Sequence, residues 1–61
     1  MIIATVENNG ETFFLRGTTW AYRRERATEF TSVVDAKAAC DRAARFMPKA
    51  LAKKIKIVDE G

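Results

Sequence analysis

Ser32-Val33-Val34-Asp35-Ala36-Lys37-Ala38-Ala39-Cys40-Asp41-Arg42-Ala43-Ala44-Arg45-Phe46-Met47 is the one long stretch with an unambiguous period. Ala36, Ala39, Cys40, Ala43 and Met47 recur at i, i+3, i+4, i+7 spacing with Val33 and Phe46 beside them, while Lys37, Asp41, Arg42 and Arg45 fall on the other side. The spacing predicts one amphipathic helix of about four turns. Ser32 with Asp35 three residues on reads as a capping box with the shorter acid, and Asp35 suits the positive end of the helix dipole. Asp41 and Arg45 are an acid-first i, i+4 pair, and Pro48 biases Met47 away from helical geometry, so the helix is expected to end at Met47. Each alanine buries little surface. The expected anchors are therefore Val33, Phe46 and Met47, with a partner layer that brings large side chains.

That partner is a sheet. Ile2 to Glu7 alternates, with Ile2, Ala4 and Val6 on one face and Ile3, Thr5 and Glu7 on the other, and Asn9-Gly10 is the signature of a two-residue type I′ turn. Placing Asn8 opposite Glu11 sets Val6 against Phe13, Thr5 against Phe14, Ala4 against Leu15 and Ile3 against Arg16. Ile2, Ala4, Val6, Phe13 and Leu15 then share a face, so turn chemistry and apolar pattern agree. Gly17-Thr18-Thr19 ends the second strand. From Trp20 to Thr31 neither a strand nor a helix period prevails, and the reading is a short helical turn near Tyr22 to Arg26, then extended chain through Phe30. Trp20 is expected to be a core or covering residue. After Pro48, Ala50 and Leu51 suit one further turn, and Lys54 to Val58 alternates with Ile55 and Ile57 inward and Lys54 and Lys56 outward. The expected fold is α+β, a single domain over residues 1–61: a three-stranded, mainly antiparallel sheet of the N-terminal hairpin plus a C-terminal strand, with one main helix on one face.

Composition narrows the function. At 61 residues about 60% of the unfolded surface is buried, so a self-associating chain is expected, a homodimer formed through the second sheet face or the edge strand. One cysteine and no histidine leave neither a disulfide nor a zinc set, and no cofactor is expected. The apolar start Met1-Ile2-Ile3-Ala4 is interrupted by Glu7, too short for a signal-peptide core or a membrane span, so a cytoplasmic protein is expected. The chain is not expected to be an enzyme. Ser32 has a capping role, Cys40 lies in an apolar stripe that raises a thiol pKa, and the three glycines form no phosphate loop.

The net charge of +3 is uneven, because residues 37 to 56 carry +6 and the first 36 residues carry −1. Two binding readings follow. In the favoured one, Ile3, Phe14, Trp20, Tyr22, Arg23 and Arg24 form an interaction surface for a protein or a second copy of the chain, since aromatics and arginines are common interface anchors. In the alternative, Arg42, Arg45, Lys49, Lys53, Lys54 and Lys56 contact nucleic acid, with Tyr22 or Trp20 stacking on bases. The bland reading of those bases is a solvated helix face and a lysine-protected edge strand.

The hairpin, Phe14-Leu15-Arg16-Gly17, Trp20, Ala27-x-x-Phe30-x-Ser32, Asp35-Ala36 and a closing apolar strand together resemble a pattern in small accessory proteins of tailed bacteriophages. The resemblance spans nearly the whole chain and rests on structural positions. An acid often follows the tryptophan in that pattern, whereas Ala21-Tyr22-Arg23-Arg24 stands here. It implies a phage product acting in the bacterial cytoplasm by binding and modulating a host protein, and it carries over no functional residue.

Overall fold

In the computed structural model, which describes residues 1–60, β1 (Ile2–Asn8), β2 (Glu11–Arg16) and β3 (Thr19–Ala21) are followed by α1 (Val33–Ala44), α2 (Lys49–Ala52) and β4 (Lys56–Asp59). The strands form one antiparallel sheet of order β3-β2-β1-β4, and α1 packs on one face. This is the expected α+β architecture with a fourth strand. Asn9 and Gly10 both have positive φ, 53° and 81°, as a type I′ turn requires, and the turn fixes the expected rungs Asn8–Glu11, Val6–Phe13 and Thr5–Phe14. The added strand is β3, where Trp20 pairs with Leu15 and Ala21 with Phe14. Three residues joined by backbone bonds need no hydrophobic period of their own, which is why the segment around Trp20 reads as neither strand nor helix.

Strand alternation places Ala4, Val6, Phe13, Leu15, Trp20 and Ile57 on the helix face. Ala4 and Leu15 are fully buried there against Ala39, Cys40 and Ala43 of α1, with Trp20, Phe30, Ile55 and Ile57 around them. The small side chains of α1 let its axis come close to the sheet, so Leu15 supplies most of the bulk. Ser32 caps the helix as expected: its backbone is extended and its Oγ accepts from the Asp35 N–H at 3.2 Å, while Thr31 Oγ1 donates to Asp35 Oδ2 at 3.1 Å.

The far end of α1 departs from expectation. The helix stops at Ala44 rather than Met47, because the N–H groups of Phe46 and Met47 bond to the carbonyls of Ala43 and Ala44 in i→i−3 turns. That tighter winding rotates Phe46 off the buried stripe, and it is 78% exposed; Val33 is exposed as well. Neither residue is an anchor. Met47 does contribute, since its sulfur accepts from Trp20 Nε1 at 3.2 Å and ties the end of the helical stretch to β3.

The second face is covered by a short irregular passage. A 3₁₀ turn at Arg24–Arg26 lies against β2, and the Arg24 guanidinium donates from Nε and Nη2 to Glu60, just past β4. Because β2 and β4 flank β1, the passage crosses over β1, and Ile3 beneath it is only 1% exposed. The chain then returns through the sheet. Thr28 N donates to Leu15 O at 2.8 Å, Thr28 Oγ1 accepts from Gly17 N, and Phe30 exchanges both backbone bonds with Ile2. The segment Thr28–Phe30 therefore sits between the lower ends of β1 and β2. Pairing of those strands ends at Thr5–Phe14, so the expected rungs Ala4–Leu15 and Ile3–Arg16 do not form; the Leu15 carbonyl bonds to Thr28 instead.

Candidate functional site: two concavities at the turn end of the sheet

Alpha helix α1 covers the sheet around Ala4 and Leu15, leaving the end near the Asn9-Gly10 turn to the single short helix α2. There Val6, Asn8, Phe13, Trp20 and Leu51 line an apolar cleft of about 170 Å³. Tyr22 stands beside it on the same face. Its ring is tilted against that of Phe13 with centroids 5.0 Å apart, and it is nevertheless 76% exposed. Tilted aromatic pairs of this spacing are favourable beyond the area they bury, so Phe13, which lines the cleft, holds Tyr22 next to it. Phe46, next to the Met47 that touches Trp20, adds a second exposed ring.

At the same end of the sheet an open basin of about 400 Å³ is lined by Glu7, Asn9, Gly10, Lys53, Lys54 and Lys56. All six residues are exposed. Among the described residues none of these lysines lies within 4.0 Å of a carboxylate oxygen.

The residues first singled out for protein contact do not form one surface. Ile3 is buried beneath the 3₁₀ passage and is not available for docking. Phe14 is half-buried on that same second face, whereas Trp20 and Tyr22 lie on the helix face. Arg24 is engaged by Glu60, with Glu29 at 4.0 Å, and the pair holds Glu60 below the usual carboxylate range and raises Arg24. Arg23 is exposed. The structure thus keeps Tyr22 and Trp20 together and adds Phe13 and Leu51, which sequence alone assigns to the core or to a minor turn. The signal for Phe13 is its place three residues past Gly10 of the hairpin turn, on a sheet end that α1 does not cover. Of the six basic residues considered for nucleic acid, Lys53, Lys54 and Lys56 share the basin; Arg42 and Arg45 belong to α1 and its end, and Lys49 opens α2.

Cys40 is buried at 8% exposure, where desolvation and then the nearby Asp41 charge push its thiol pKa up. Such a thiol is a small hydrophobe and a poor nucleophile. Among the described residues there is no group of three or more potential metal ligands, and no helix is long and apolar enough to cross a membrane. Neither a family model, nor a curated protein, nor a solved structure matches the chain.

Proposed function

We propose that this chain is a non-enzymatic interaction module that seats a large apolar side chain of a partner protein in the cleft lined by Phe13, Trp20 and Leu51, beside Tyr22. The observation that carries this reading is the exposure of Tyr22 beside an open apolar cleft. A domain this small has few large apolar groups, and leaving aromatic rings in water forgoes burial energy that the fold needs. The cleft holds one large side chain, and Tyr22 and Phe46 supply flanking contact area. With the resemblance to bacteriophage accessory proteins, the partner is a host protein that the module modulates in the bacterial cytoplasm.

A second copy of the chain competes for the same role. The route through the second sheet face is disfavoured by the burial of Ile3, so self-association would use the cleft or the outer edge of β4. Light scattering at micromolar concentration separates the two cases. The host-partner reading expects a monomer of about the chain mass, 6.9 kDa, and capture of a defined protein from nuclease-treated bacterial lysate. Tyr22→Glu should abolish that capture with little change in the unfolding midpoint, because the side chain is mostly in water. Capture that survives both Tyr22→Glu and Leu51→Lys would remove the cleft from the function.

A further inference from the structure

The lysine basin is separate from the apolar cleft and calls for a different ligand. Lys53 is the C-cap of α2, Lys54 follows it, and Lys56 opens β4, so a helix end and a strand start bring three ammonium groups to one concavity. Like charges gathered this way repel one another, and only Glu7 offsets them within the basin. The bulk of the molecule does not require the arrangement, since Lys53, Lys54 and Lys56 are exposed and form no ion pair among the described residues. Protection of the β4 edge accounts for Lys56 alone, as Lys53 and Lys54 precede the strand.

The rim also carries hydrogen-bond donors. Asn9 and Gly10, both at positive φ, occupy the turn outside the ladder, and their N–H groups donate to nothing among the described residues. Ammonium groups and free backbone amides around an open hollow lined by charged and polar residues are the donors a phosphate takes. The basin is shallow and contains no aromatic ring or base-reading side chain of its own, so it recognises the backbone and not the bases.

We propose that the Lys53–Lys54–Lys56 basin binds the phosphodiester backbone of a nucleic acid. Lys53, Lys54 and Lys56 each neutralise one phosphate, the turn amides of Asn9 and Gly10 orient the chain, and Glu7 weakens the site by repulsion.

The test is fluorescence anisotropy of labelled single-stranded DNA, the matching RNA and their duplexes, titrated with the full chain between 50 and 200 mM salt. Three neutralised phosphates give a loss of about 20-fold across that range for a single strand and about 40-fold for duplex DNA. Replacing one basin lysine by glutamine should lower that single-strand loss to about 7-fold. The triple variant Lys53→Glu, Lys54→Glu, Lys56→Glu should eliminate binding with an unchanged circular-dichroism spectrum, and Glu7→Gln should tighten it. Lys37→Glu on α1 changes the net charge equally but lies outside the basin, and should alter binding less than any single basin reversal. The proposal is overturned if no nucleic acid binds at 50 mM salt, if Lys37→Glu weakens binding as much as Lys54→Glu, or if polyglutamate competes as well as an equal charge of nucleic acid. The last result would assign the basin to an acidic protein surface.

Discussion

The two faces of the sheet are closed by opposite means. A regular twelve-residue helix, α1, covers one face, and a short irregular passage through Arg24–Arg26 covers the other. The helix buries Ala4 and Leu15 completely yet leaves an apolar cleft beyond its reach, whereas the irregular passage reduces Ile3 to 1% exposure. Regularity is therefore not what decides coverage. An alanine-lined helix lies close but narrow, and a passage pinned at both ends by hydrogen bonds can sit tightly over one large side chain. The open cleft belongs to the face with the better-formed cover.

Paired truncations put that comparison to its hardest trial. Leu15→Ala should lose about 2–5 kcal/mol in urea denaturation, and Ile3→Ala should fall in the same range. Equal costs would make the irregular passage a full second core. A loss below about 1 kcal/mol for Ile3→Ala would mean that the passage opens readily and that burial of Ile3 overstates its packing.

A smaller effect belongs to the helix face alone. Cys40 has its thiol pKa raised on folding, so the native state holds the proton more tightly than the unfolded chain. The associated stability is complete below the unfolded thiol pKa of about 8.5 and is lost as pH rises through the higher native value. Denaturation midpoints should fall above about pH 8.5 in the parent chain and less steeply in Cys40→Ala. Native Cys40 should also react slowly with a thiol reagent and rapidly in urea. Fast native labelling would show that α1 lifts from the sheet.

The smallest effect is on the other face, at Arg24 and Glu60. Folding lowers the Glu60 pKa through Arg24, so this contribution is present above the unfolded carboxylate pKa and disappears as pH falls through the native value. Glu60→Gln should shift the thermal midpoint only slightly at neutral pH, and the shift should vanish in 1 M salt because the pair is solvent-screened. A large, salt-insensitive loss would make this ion pair the clamp of the passage and demote the backbone bonds of Thr28 and Phe30.

Much of this was legible where two independent signals met on the same residues. Asn9-Gly10 and the alternation of Ile2 to Leu15 demand one register, and Ser32 with Asp35 marks the helix start that the alanine period also marks. The cleft was less legible because it depends on where α1 ends. Pro48 restricts Met47, but the i→i−3 bonds begin one residue earlier, at Phe46, and turn its ring to solvent. Strand β3 escaped because its three residues pair through backbone groups, which composition does not encode. The basin was half visible: its lysines stand out as a run, but their meeting with the hairpin turn depends on β4 lying beside β1.

The seam at Thr28–Phe30 also has a temporal meaning. A hairpin nucleated at Asn9-Gly10 forms in about 1–10 μs, and nothing in its own sequence stops it from zipping past Thr5–Phe14 to pair Ala4 with Leu15. In the finished fold that space holds Thr28–Phe30, a segment from farther along the chain. An over-zipped hairpin and the native seam would use the same Leu15 carbonyl, so the two arrangements exclude each other. If the longer hairpin forms first, refolding should show a phase slower than hairpin closure, and single-exponential refolding with no missing amplitude would exclude it.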